Sequence, residues 1–171
     1  MLRTPDTIST LRDVLTQCRT IAVVGLSPQW HRPSHFAAKY MQAHGYRIVP
    51  VNPLVAREGG QILGEMAYAS VEDAAQALAR QGGRIDMVDC FRKSEDIPPL
   101  AEEAIAVGAR CLWLQLGVFH ETAGQRAEEA GLQVIQNRCV KIEHARLFGG
   151  LGWMGVNTRV ISSKRLRQLP Y

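Results

Sequence analysis

The residues best placed to do chemistry lie around one turn. Thr20-Ile-Ala-Val-Val-Gly-Leu-Ser27 is an apolar run that closes in Gly25, and a helical pattern opens soon after at Pro33. A buried strand that turns tightly into a helix leaves backbone N–H groups facing outward, and the helix dipole favours negative charge there. Such a turn holds a phosphate. The charges around it agree. From Val14 to Arg57 there is no Asp or Glu, and Arg19, Arg32, Lys39, Arg47 and Arg57 stand there with His31, His35 and His44. A surface of one sign concentrates an anionic ligand, although the same asymmetry also fits a merely solvated face.

Further candidates follow from where parallel strands end, because ligands of such sheets bind at the carboxyl ends of the strands. Those ends carry Gly25-Leu26-Ser27, Asn52-Pro53, Phe91-Arg92-Lys93-Ser94, Gln115-Leu116-Gly117 and Asn137-Arg138-Cys139. Arg32 offers a bidentate pair to a phosphate. Gly25, Ser27 and Asn52 also have plain turn-forming roles. Trp30 either stacks on a base or packs on its own loop. Cys139 is read as a small buried group rather than a reactive thiol. Glu143 and His144 have no nucleophile near them, so no catalytic centre is assigned.

The nicotinamide signature fails twice. Gly-x-Gly-x-x-Gly needs glycine where this chain has Ser27 and Trp30, and the ribose-binding acid is missing, since Asn52 ends the second strand and the first acid after Gly25 is Glu58. NADP therefore fits better than NAD. The Walker phosphate loop is absent as well. Cys18, Cys90, Cys111 and Cys139 are scattered, which argues against zinc and for reduced thiols in a cytoplasm.

The elements that must position these groups repeat one rhythm: helix, glycine, apolar strand. It appears at Gly45 before Ile48-Val-Pro-Val51, at Gly108 before Cys111-Leu-Trp-Leu114, and at Gly131 before Val134-Ile135. Glycine closes a helix in a left-handed turn, and the repeat reads as successive βα units. The expected strands are Ile21 to Gly25, Arg47 to Val51, Ile85 to Phe91, Cys111 to Leu116 and Gln133 to Gln136. The expected helices start at Thr7 or Ser9, Pro33, Ser70, Ser94, Glu121 and Glu143. Val55 to Gly64 reads as a loop with a short edge strand at Gln61 to Leu63. This is an α/β fold, a doubly wound, mainly parallel sheet of five to six strands in three layers.

The whole chain has 171 residues, 46% hydrophobic and 21% charged, with a net charge of +4. That suits one domain over residues 1–148 with a C-terminal extension over 149–171. The basic run Lys164-Arg165-Leu166-Arg167 has no interleaved aromatics, so neither nucleic acid nor membrane is expected as a partner.

Val24-Gly-Leu-Ser27, Arg32-Pro-Ser-His35, Gly45-Tyr46, Pro50-Val-Asn-Pro53, Leu63-Gly64, Phe91-Arg-Lys-Ser-Glu95, Trp113-Leu-Gln-Leu-Gly117 and Asn137-Arg-Cys139 followed by Glu143-His144 stand in one order. In that order they resemble the stand-alone CoA-binding proteins, which are similar to the CoA-binding domain of the succinyl-CoA synthetase alpha subunit. The resemblance implies a Rossmann-like domain holding coenzyme A or an acyl-CoA. Its implied contacts are Gly25, Leu26, Ser27, Arg32, Ser34, Asn52, Pro53, Phe91, Arg92, Gln115 and Gly117. The chain ends where the synthetase would carry its phosphorylated histidine, so that activity is not implied. An NADP-dependent reductase, or the CoA-binding subunit of an acyl-CoA ligase completed by a partner chain, is the alternative. A second copy of the chain is left open as a partner.

Overall fold

The computed structural model describes residues 8–149. Five short apolar strands form one parallel sheet: β1 (Thr20–Val24), β2 (Arg47–Val51), β5 (Met87–Cys90), β6 (Cys111–Leu114) and β7 (Gln133–Ile135), in the order β2-β1-β5-β6-β7. Every strand but the edge residues is buried on both faces, as a sheet covered by helices requires. Alternate residues divide into two cores. Ala22, Val24, Val49, Val88 and Leu112 pack under α4 (Val71–Ala79), α5 (Ile97–Ala106) and α6 (Glu121–Glu129). Ile21, Val23, Ile48, Met87 and Trp113 pack under α1 (Ile8–Gln17), α2 (Pro33–Ala43) and α7 (Val140–Phe148). The fold is the expected three-layer α/β arrangement.

The register is anchored at the end of the sheet away from the strand termini discussed above. Asp86 accepts the backbone N–H groups of Arg19 and Thr20 at 2.9 and 3.1 Å and pairs with Arg84 at 3.1 Å. It therefore ties β1 to β5 before either strand begins.

Three expected elements differ in kind, and α7 opens at Val140, three residues before the expected Glu143. Val55 to Gly64 is not a plain loop: Asn52 caps a short helix α3 (Pro53–Arg57), its Oδ1 accepting the N–H groups of Leu54 and Val55. The edge strand does not join the sheet. β3 (Gln61–Ile62) pairs antiparallel with β4 (Glu65–Met66) in a separate hairpin. The left-handed residues Leu63 and Gly64 make the turn between them, which a reading of apolar periodicity passes over. The helix from Ser94 begins as a 3-10 turn, Ser94–Asp96, and becomes α-helical only at Ile97. Thr7 lies outside the described residues, and so does the extension beyond Gly149. Among the described residues no helix is long and apolar enough to cross a membrane.

Candidate functional site

The strand order places β1 between β2 and β5, so the chain leaves β1 towards one side and returns to the other. The loops that follow β1 and β5 therefore part, and a cleft opens above them. It has a volume of about 870 Å³. Gly25, Ser27, Arg32, Ser34, Asn52, Phe91, Arg92 and Gln115, all named from the sequence, line it. A second hollow of about 470 Å³ shares Gly25, Ser27, Asn52, Leu54 and Arg92 with it and runs towards Ser70, Leu100 and Glu103.

One wall is the turn from β1 into α2. The Ser27 N–H donates to Ser34 Oγ at 3.0 Å, the Gln29 N–H donates to Ser27 Oγ at 3.1 Å, and His35 Nδ1 lies 2.9 Å from the Ser27 carbonyl. These bonds hold the loop shut on itself. The start of α2 is left open. Arg32 occupies its N-cap without a side-chain hydrogen bond to the helix, Pro33 follows, and no acid stands in the first turn. Pro33 has no N–H, and the His35 N–H turns back to the Arg32 carbonyl at 3.0 Å, so the helix presents the positive end of its dipole rather than a row of bare N–H groups, with no carboxylate in its first turn to neutralise it. Arg32 itself is exposed, and among the described residues its side chain is held by Nε donating to Gln29 Oε1 at 3.2 Å.

Gly25 is needed for a reason internal to the chain. Its φ is +82°, and a Cβ there would sit 2.5 Å from the Phe91 carbonyl oxygen. The glycine thus lets β1 and β5 end side by side.

Asn52 is a structural brace as well as a lining residue. Its Oδ1 caps α3, and its Nδ2 donates to the Leu26 carbonyl at 2.9 Å, locking the loop after β2 to the loop after β1. The opposite wall carries Arg92 and Lys93, with Asp96 as the acid among the lining residues. Arg92 Nη2 lies 3.1 Å from Asp96 Oδ2. Both are partly exposed, so the pair is weak and can be exchanged for another anion. With Arg32, the cleft holds three cations against one carboxylate.

The floor is made by the end of β6. Gln115, 4% exposed, donates from Nε2 to Asp89 Oδ1 at 2.6 Å, and Asp89, in the middle of β5, is 2% exposed. Burial raises the Asp89 carboxyl from its ordinary 3.8 to about 7, against the lowering effect of the Gln115 hydrogen bond. Leu116 and Val118 with Leu54, Val55 and Phe91 give the cleft an apolar side.

Three sequence-derived residues do not line the main cleft. The Leu26 side chain is fully buried in the core under α2, and only its carbonyl is engaged by Asn52. Pro53 starts α3 and lines the smaller hollow. Gly117 donates its N–H to Asn137 Oδ1 at 2.7 Å, which closes the turn after β6. The lining residues Leu54 and Val55 come from α3, a helix too short to show an apolar period in the sequence. Asp89 does carry a sequence signal: an acid inside the otherwise apolar strand Met87 to Cys90.

Glu143 and His144 brace α7. Glu143 is fully buried between Arg138 at 3.3 Å and Arg146 at 2.5 Å. His144 Nδ1 meets the Tyr40 hydroxyl at 3.1 Å, and burial with His44 nearby lowers its pKa. Burial pushes the Cys139 thiol up, although the N–H groups of Ile142 and Lys141 pull the other way. A thiol so held is a poor nucleophile at neutral pH. Trp30 is exposed and stands edge-on to His31 at 5.8 Å between ring centres.

Residues 19–145 match the model of a family described as a CoA binding domain. The chain is 38% identical over 135 residues to the uncharacterized protein YneT of Bacillus subtilis (strain 168), covering 79% of this chain and 92% of that one. Among solved structures, a hypothetical protein from Pyrococcus horikoshii OT3 superposes with a TM-score of 0.75 at 36% identity, over 87% of this chain and 99% of that one. The cell-free ID.343 protein of Thermus thermophilus does so with a TM-score of 0.74 at 34% identity, over 83% and 99%.

Proposed function

This chain belongs to the CoA-binding domain family, and on that premise we propose that it binds coenzyme A, or an acyl-CoA, in the cleft above β1, β5 and β6. The observation that carries the reading is the uncapped, acid-free start of α2 opening into a cleft with Arg32, Arg92 and Lys93. The diphosphate of the coenzyme lies over that helix start, where dipole and side chains are both positive. Its 3′-phosphate competes with Asp96 for Arg92. The base enters the smaller hollow, against Leu100, Ser70 and Glu103. The pantetheine arm runs along the apolar side towards β6. Asn52 stands where an acid would select an unphosphorylated ribose.

The test is calorimetric titration of the purified protein with CoA, NADP, NAD, ATP and dephospho-CoA. CoA is expected to bind most tightly, and dephospho-CoA more weakly for want of the 3′-phosphate. Binding of NADP with CoA silent would overturn the reading in favour of a reductase.

A further inference from the structure

Asp89 and Gln115 form an isolated polar pair under the cleft. The carboxylate of Asp89 is an acceptor only, so the Gln115 amide must turn its NH2 group down to it, as the 2.6 Å contact records. The amide oxygen of Gln115 then faces the other way, towards the cleft that Gln115 lines. Among the described residues no protein donor meets that oxygen. It is an acceptor held at a fixed angle in a side chain 4% exposed. That oxygen is open to the cleft, since Arg146 Nε is the one buried side-chain polar atom without a partner among the described residues, and a ligand N–H that reaches it takes the place of water.

We propose that Asp89 is a positioning residue for ligand recognition: it orients the Gln115 amide so that the Gln115 oxygen accepts an N–H from the amide-bearing arm of the ligand. The proposal rests on the CoA reading, because the pantetheine arm supplies two such amides and the nucleotide end supplies none in this part of the cleft. It makes the end of β6 selective for an extended amide chain rather than for a ribose or a nicotinamide ring.

The orientation depends on the charge of Asp89. When protonated, Asp89 can itself donate to the Gln115 oxygen, the amide turns over, and its NH2 group meets the ligand's N–H instead. The groups that sense Asp89 electrostatically are the thiol of Cys90, next in the strand and on the opposite face, and that of Cys139 at the start of α7; both are pushed up by burial, and neither carries a charge that would offset the carboxylate. Gln115, just after β6, is its hydrogen-bond partner, and its neighbours in register on β1 and β6 are the apolar Val23 and Trp113. With Asp89 titrating near 7, arm recognition strengthens as pH rises through neutrality.

The experiment titrates the parent protein, Asp89→Asn and Gln115→Met with two probes, CoA and adenosine 3′,5′-bisphosphate, across pH 5.5–8.5. The second probe carries the nucleotide phosphates without the arm, so it reports the phosphates' own titration near pH 6. At pH 8 both variants are expected to bind CoA about two- to tenfold more weakly, the scale of one lost neutral hydrogen bond, and to bind the bisphosphate like the parent. Asp89→Asn should also lose the component of the CoA pH profile that the bisphosphate does not share. Equal weakening of both probes would show a merely structural role and overturn the proposal, as would unchanged CoA affinity and pH profile in Asp89→Asn. A parent protein that binds the bisphosphate but not CoA, or neither, overturns the CoA reading itself and is told apart by that control.

Discussion

The buried carboxyl of Asp89 makes the stability of the protein depend on pH in a direction opposite to that of an ordinary paired acid. In the unfolded chain the group ionises near 3.9. In the folded protein burial holds the proton until about 7. Between these values the folded state carries more protons than the unfolded state, so stability falls as pH rises through the window and levels off above about 7. Each unit of difference is worth about 1.4 kcal/mol, and the group therefore removes about 4 kcal/mol of stability at pH 8 relative to pH 3. Asp89→Asn keeps the shape but never ionises, and because its amide both donates and accepts it no longer dictates which way the Gln115 amide turns. Its extra amide N–H groups enter a site built for acceptors, which costs about 1–3 kcal/mol at any pH. Urea unfolding of both proteins without ligand, followed from pH 3.5 to 8.5, should give two curves that cross. The variant is the less stable at pH 3.5 and the more stable at pH 8, by about 1–3 kcal/mol at each end. Parallel curves, with the variant equally destabilised at both ends, would refute the reasoning, because Asp89 would then ionise as freely when folded as when unfolded.

Arg32→Ala is expected to weaken CoA binding by about 1–3 kcal/mol, the scale of a lost charge-assisted hydrogen bond. Its melting temperature should stay at the parent value, because the side chain is exposed and bonded only to Gln29; calorimetry beside a thermal melt reads both. Asp96→Asn releases Arg92 from its partner at 3.1 Å. It should tighten CoA binding and steepen its salt dependence while changing stability by less than about 1 kcal/mol, as titrations at several salt concentrations will show. Gly25→Ala forces a side chain against the Phe91 carbonyl at a φ of +82°. The left-handed backbone alone costs about 1–2 kcal/mol, so the ligand-free melting temperature should fall. An unchanged melt would show that the turn can relax.

That last case marks where chain and structure divide. The glycine after the apolar run Ile21 to Val24 is legible as a tight strand-to-helix turn, and the acid-free stretch around it as a candidate anion site. Only the tertiary structure reveals that Gly25 is required by the Phe91 carbonyl just past the end of neighbouring β5, a contact between segments far apart in the chain. Asn52 behaves alike. Asn-Pro at a strand end reads as a turn, yet the side chain caps α3 and braces Leu26 in the first loop at once.

The sequence by itself determined the main helices and strands and their order, the parallel sheet and the end of it where the cleft opens. These follow from apolar runs bounded by glycine, which depend on neighbours in the chain. It also determined most of the cleft, because ligands gather where parallel strands end and those ends are short, recognisable segments. Only folding decided that Leu26 turns inwards, that Gly117 is closed off by Asn137, and that Leu54 and Val55 join the lining from a helix too short to show a period. Only folding brought Asp89 beneath Gln115. An acid in an apolar strand has no meaning until its partner is known, and that partner lies on the next strand of the sheet, beyond an intervening helix in the chain.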